Sequence, residues 1–481
     1  MSTRFIVALC AAALLPWPAR AAESGELQVI RQQIDELKVA YEGRIRALEA
    51  RLQSLQERLG AAGPGAPAAP GTEPATRLTR AEPVAPAAPA ATAPQPSAQD
   101  SASAFNPAIS LILNGTYARL SRDPSLYRLQ GFVPSGGEVG PGQRSFSLGE
   151  SELVLAATID PTFSGRLIAS IGNDDRISVE EAAFERQGVF EGATLKGGRF
   201  LSSIGYLNSQ HAHAWDFVDA PLAYQAFFGG PMKTDGIHLH WIAPTERYLE
   251  LGAELGAGRD FPGSGAARNG VGSAALFAHV GDDIGESASW RAGISFLGHR
   301  ATQRDYADGN AAGAPVTNRF DGRSRTWVAD AIYKWAPAGN ATRTSLKLQG
   351  EYFRRSESGT LTYDVDGAAA GSAYRSRQDG WYVQAVYQFM PQWRIGLRWD
   401  RLDAGRSRIG AVESGALAAA DLPILQGARP SRATVMVDYS LSEFSRLRLQ
   451  LAADRSNPAA TDRQLYLQYI MSLGAHGAHA F

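Results

Sequence analysis

The chain has 481 residues with 47 basic and 48 acidic side chains, so its near-neutral charge gives no reason to expect a nucleic-acid partner. Its single cysteine, Cys10, sits near the start, which excludes disulfides and cysteine-based metal sites from everything after it. No later segment offers the ~20 uninterrupted apolar residues of a membrane-crossing helix, and 50 glycines suit a chain of strands and turns.

Residues 1–21 carry the parts of a secretory signal: Arg4, the apolar run from Phe5 to Trp17, and Ala19-Arg20-Ala21 as a small-x-small cleavage site. Leu9 stands where a lipoprotein signal has a small residue, so Cys10 is not read as a lipid anchor. Residues 23–59 read as a helical module, with apolar side chains at Leu27, Ile30, Ile34, Leu37, Tyr41, Ile45, Leu48, Leu52, Leu55 and Leu59. The steps alternate three and four, apart from two consecutive fours around Tyr41, which mark a stutter. A lone amphipathic helix is the alternative to a coiled coil. It leaves its seam exposed, and isoleucine at both early seam positions favours three or more strands. Residues 60–103 are rich in Ala, Pro, Gly and Thr without periodicity and read as an extended linker.

From residue 104 to 481 alternating segments recur. Ile109, Leu111, Leu113 and Tyr117 open the series, and Leu153, Leu155, Ala157 and Ile159 follow up to a turn at Asp160-Pro161. Trp327 to Trp335, Trp381 to Phe389 and Trp393 to Trp399 place apolar residues at odd positions, with Asp330, Gln384, Arg394, Arg398 and Asp400 between them. Leu447, Leu449 and Leu451 alternate with Arg446, Arg448 and Gln450. The last strand runs Leu465, Leu467, Tyr469, Met471, Leu473, in phase with Phe481. A period of two makes one greasy face and one wet face. A dry sandwich core would carry unpaired charge at a high cost, whereas a membrane barrel puts lipid outside and a watery lumen inside. The fold expected is all-β: a transmembrane antiparallel barrel of about 16 strands, preceded by the N-terminal coiled coil. Short turns are expected near Pro161, Pro244, Ala338, Pro391 and Ser442. Long external loops are expected at Ser121–Ser145, Gly205–Asp235, Gly298–Gly322, Ser356–Arg377 and Ala404–Pro430.

The order signal, coiled coil, linker, barrel and terminal Phe481, with Leu195-Lys196-Gly197-Gly198-Arg199-Phe200 leading into Ile204-Gly205-Tyr206, resembles the phosphate-selective porin O/P superfamily of outer-membrane barrels. Phe105-Asn106-Pro107-Ala108-Ile109, the run from Ser145 to Glu152, and His211-Ala212-His213-Ala214-Trp215-Asp216-Phe217-Val218-Asp219 are similar to a neighbouring group labelled zinc-regulated or TonB-dependent receptors. Phosphate selectivity in that superfamily uses lumen lysine clusters, but this barrel region has only Lys196, Lys233, Lys334 and Lys347. A TonB-dependent receptor carries a plug and about twenty-two strands, and here a coiled coil and linker stand in the plug's place.

The loop Gly205–Asp235 follows the fifth strand and is the expected inward-folding constriction, carrying Trp215, Asp216 and Asp219. Arg394, Arg398, Arg432, Arg446 and Arg448 share the inward parity, near Asp400, Asp438 and Asp454. They form either a selectivity-setting charged wall or a balanced set of lumen salt bridges. His211 and His213 in the loop and His238 and His240 on the next strand offer a transient Zn²⁺ site, since i, i+2 spacing puts both strand imidazoles on one face. The plainer reading is of polar lumen and packing residues. His476 and His479 read as part of a spacer before Phe481.

No hydrolase elbow or zincin pattern stands in a supportive context, so no enzyme and no resident cofactor are expected. The expectation is a passive outer-membrane channel for small hydrophilic solutes or ions, homotrimeric and seated in lipid. Its periplasmic coiled coil fixes the oligomer or reaches peptidoglycan. A zinc or divalent-metal receptor is the alternative.

Overall fold

A computed structural model describes residues 108–474, apart from 137–138, 173–175, 266–268 and 458–459. The expected signal, coiled coil and linker, and His476, His479 and Phe481, lie outside the described residues. The wall strands are β1 (Ala108–Leu120), β2 (Ser145–Leu148 continued by Ser151–Asp160), β3 (Phe163–Ile171), β4 (Ile177–Gln187), β5 (Ala193–Leu201), β6 (Lys233–Ile242), β7 (Tyr248–Gly256) and β8 (Ser273–Ile284). They continue as β9 (Ala288–Gly309), β10 (Pro315–Trp335), β11 (Ser345–Tyr363), β12 (Ala370–Met390), β13 (Trp393–Asp403), β14 (Ser431–Ser442), β15 (Ser445–Arg455) and β16 (Asp462–Gly474).

Each strand pairs antiparallel with its sequence neighbours, and β1 closes the ring on β16 with Leu113 opposite Met471 and Tyr117 opposite Leu467. The two parts of β2 count as one wall strand, and the two-residue stub Arg408–Ile409 only flanks β12, so the barrel has sixteen strands as the alternation predicts. Between the two parts of β2 the chain carries one residue more than β1 opposite, a bulge in which Gly149 N–H donates to the Asn114 carbonyl at 2.7 Å. Short turns are fixed locally, as where Thr162 N–H donates to the Asp160 carboxylate at 2.8 Å between β2 and β3.

The faces follow the parity of the sequence. On β13, Leu397 is 59% exposed while Arg398 and Asp400 are 4% and 0% exposed. A greasy outer wall and a charged inner one, closed without an edge, are the conditions for crossing a bilayer with strands. The fold is a closed sixteen-stranded β-barrel with the two-sided wall of a membrane-crossing one.

Two expectations are corrected. Gly298–Gly322 and Ser356–Arg377 are not long loops, because β9 to β12 run 19 to 22 residues and leave only short connections at 310–314 and 364–369. The outer-face alternation turns polar at Arg323, Arg325 and Arg354, where lipid ends, but backbone pairing needs no lipid and continues outward. The lumen is also not wet along its whole length. The seven-residue helix α1 (Leu222–Phe228) lies inside the wall, where Tyr224, Phe227 and Phe228 pack on Phe353 and Tyr382. Nearer the long-loop end a second apolar cluster joins Val133, Phe320, Tyr374, Ile424 and Leu425.

Candidate functional site: the inward loop and its arginine anchors

The third connection on the long-loop side, residues 202–232 between β5 and β6, is the one that folds inward, with its helix packed on inward side chains of the wall. Asn208 ties its two roots together: its amide donates to the carbonyls of Ser202 at 2.7 Å and Met232 at 3.0 Å and accepts from Met232 N–H at 2.7 Å. Glu254 on β7 holds the first root, accepting from Ser202 Oγ at 2.6 Å and Ser203 N–H at 2.8 Å. At the far side α1 ends at Gly229, whose φ of 81° suits glycine. A Cβ there would also run into the Ser135 carbonyl of the first long loop.

Asp216 and Asp219 meet the arginine wall directly. Asp216 lies 3.4 Å from Arg394 Nη1 and 2.5 Å from Lys347 Nζ. Burial raises its pKa, but Lys347 and Arg394 outweigh that and hold the carboxyl below the usual range. Asp219 takes Arg398 Nη2 at 2.8 Å, Gln450 Nε2 at 3.0 Å and the Arg432 guanidinium. Arg398 also covers the Phe217 ring at 4.6 Å and bonds Asp400 at 3.1 Å. Arg446 and Arg448 donate to loop carbonyls, the first to His213 O and the second to Trp215 O, each at 2.8 Å. Arg448 and Arg394 share Asp438 at 2.8 and 2.5 Å. Trp215 is 8% exposed, with its indole donating to Gln210 O at 2.9 Å, so it packs within the loop and does not front an opening. Together these arginines fasten the loop to the wall.

The four candidate histidines fall into two pairs with different partners. His211 Nε2 lies 2.8 Å from Glu181 on β4, and His213 Nδ1 lies 2.8 Å from Glu152 on β2. Burial lowers the His211 pKa, yet Glu152 and Glu181 overcome it and push the imidazole up to about 9. His238 is buried between Phe200 and Phe277, 4.0 Å from Glu254. His240 lies 3.5 Å from Glu250, which also takes His279 at 2.9 Å. Among the described residues no group of three or more His, Cys, Asp or Glu side chains is disposed to hold a metal ion.

Sequence reasoning missed Glu152, Glu181, Glu351 and Asn208. Glu351 on β11 accepts from Leu207 N–H at 2.9 Å, Tyr224 Oη at 2.9 Å and Tyr382 Oη at 2.6 Å, anchoring loop and helix at once. Its inward parity and its place beside the outward Tyr352 were the available signals. Asn208 had none, since its task is to bond backbone inside its own loop.

Toward the short-turn end the inward charges become partly accessible. Side chains of Arg166, Lys196, Lys347, Arg394 and Arg446 are 16–24% exposed, against Glu185 at 26% and Glu250 at 12%. Lys334, opposite Lys347 across the β10–β11 pair, adds a further inward cation.

No family model matches the chain. Among solved structures it resembles a loop-deletion form of OmpT, an outer membrane protein of Vibrio cholerae, at 10% identity and TM-score 0.46 over 76% of this chain and 98% of that one. It also resembles an anion-selective porin from Comamonas acidovorans at 11% identity and TM-score 0.45, over 76% and 99% of the two chains. Likenesses of that strength say nothing of what the chain does. A protein of Aquifex aeolicus (strain VF5), described as uncharacterized, is 30% identical over 407 residues, which is 79% of this chain and 81% of that protein. The chain belongs to the family of that Aquifex aeolicus protein.

Proposed function

We infer that the protein is a porin-like channel through which small hydrophilic solutes or ions diffuse passively, a conduit and not an enzyme. The loop 202–232 narrows it, and the field at its short-turn end favours anions. The carrying observation is the set of inward cations, Arg166, Lys196, Lys334, Lys347, Arg394 and Arg446, that stays partly accessible beside the fastened loop, set against the accessible inward carboxylates Glu185, Glu250 and Asp283. Charged rings in a low-dielectric wall set ion preference. The resemblance of Leu195–Phe200 to phosphate-selective porins fits this reading. The metal-receptor alternative draws no support from the two separate histidine pairs. Homotrimer formation is part of the proposal: the short flank β2 to β4 leaves Phe146 83%, Ile177 72% and Ile159 66% exposed, an apolar face suited to neighbouring copies.

Planar-bilayer recording in a salt gradient tests the channel. A small conductance with an anion-favouring reversal potential is expected, and Lys334→Gln should move that potential toward cations. A silent bilayer, or a cation-favouring wild type, would overturn the reading.

A further inference from the structure

The outer wall changes character at its long-loop border. Along β13 to β16 three rows of outward residues lie in register. Lowest is Ala385–Leu397–Val435–Leu451, running over from β12. Above it stand Trp399, Ala433, Ala453 and Arg463, and above them Arg401, Ser431 and Arg455. The alanines leave a dent between Trp399 and Leu451, an apolar groove of about 730 Å³ on the lipid-facing side with Arg463 at its upper edge.

The cations over this groove are not spoken for. Among the described residues neither Arg401 nor Arg463 has a carboxylate within ion-pair distance, and Arg455 reaches only the Thr461 hydroxyl at 3.2 Å. Asp403, two residues along the same face from Arg401, is taken by Arg429 at 2.9 Å. Arg455 and Arg463 are exposed and Arg401 half-buried. The same border continues on β10 to β12 with Arg325, Arg354 and Arg377, of which Arg354 faces Asp379 at 3.7 Å.

We propose that this face is a binding site for a phosphorylated, acylated lipid of the outer leaflet. Its phosphate is held by Arg401, Arg455 and Arg463, and an acyl chain lies in the groove over Ala433 and Ala453. Three observations select that occupant. The guanidinium fork matches phosphate oxygens, in pairs, better than it matches any neutral headgroup. Arginines on alternate strands stand roughly 10 Å apart, a span that a headgroup carrying two phosphates bridges. The apolar slot begins directly below the cations, on the side where hydrocarbon begins. The site lies on the outer wall and is independent of anything passing through the lumen.

Native mass spectrometry of the full chain in detergent tests the site with three probes: a bis-phosphorylated, multiply acylated glucosamine disaccharide, its dephosphorylated form, and inorganic phosphate. The wild type should retain the first and shed the other two. The triple variant Arg401→Gln, Arg455→Gln, Arg463→Gln should lose roughly ten-fold in retention. Ala433→Leu with Ala453→Leu, which fills the groove and keeps every arginine, should lose a comparable factor. Heat-modifiable gel mobility checks that each variant is folded, and the groove variant decides should the triple variant not fold. Equal retention of the dephosphorylated lipid, full displacement by inorganic phosphate, or unchanged binding in a folded variant would overturn the proposal.

Discussion

Asp219 shows how a buried carboxylate is made tolerable. Arg398 and Arg432 face it with Gln450 alongside, so each desolvated charge has partners of opposite sign or matching polarity. Removing the acid leaves both guanidinium groups buried with less to hold them. Asp219→Ala is therefore expected to cost about 3–5 kcal/mol, read as a lower midpoint in urea unfolding from detergent micelles. An unchanged midpoint would mean that water already fills the space around it. The pairing was half legible in the sequence. Parity put Arg398 and Arg432 inside, and the loop's position after the fifth strand put Asp219 near them. Which acid met which arginine depends on how the loop folds, and no periodicity reports that.

The loop is an element stitched at several points, and one stitch depends on pH. His211 is held cationic by Glu181 and Glu152, with its pKa raised from 6.5 to about 9. A raised folded-state pKa adds stability in full below the unfolded value, and that stability is lost as pH rises through the folded one. The stitch is thus complete below about 6.5 and gone above about 9, a contribution on the order of 3 kcal/mol. Loop fluctuations, read as open-channel current noise, should grow as pH rises from about 6.5 to about 9 and level off above that. His211→Gln should flatten the dependence. The strands teach a related lesson about reading boundaries. The alternation marks where lipid begins and ends, so it placed the membrane-crossing parts of β10, β12 and β13 well. It fell silent where those strands leave the bilayer, because outward arginines there pair as readily in a strand as in a loop.

For the whole molecule, two-sidedness decides between folding and failure. A cation on the lipid face near mid-wall costs about 2–4 kcal/mol, so Leu397→Arg should lower the fraction that folds into lipid vesicles, scored by heat-modifiable mobility. Closure and strand number were legible because both follow from a period of two repeated around a ring. The apolar filling was not. Phe132, Phe227, Phe353 and Tyr382 come together from two loops and two strands far apart in sequence, and each alone reads as an ordinary aromatic. The Asn208 clasp has one more consequence. Because the two roots are bonded to each other as well as to the wall, residues 203–231 form a closed flap that the arginine contacts pin to the barrel. Released from those contacts, such a flap moves as one body, so displacement should switch the passage between discrete levels and not fray it by degrees.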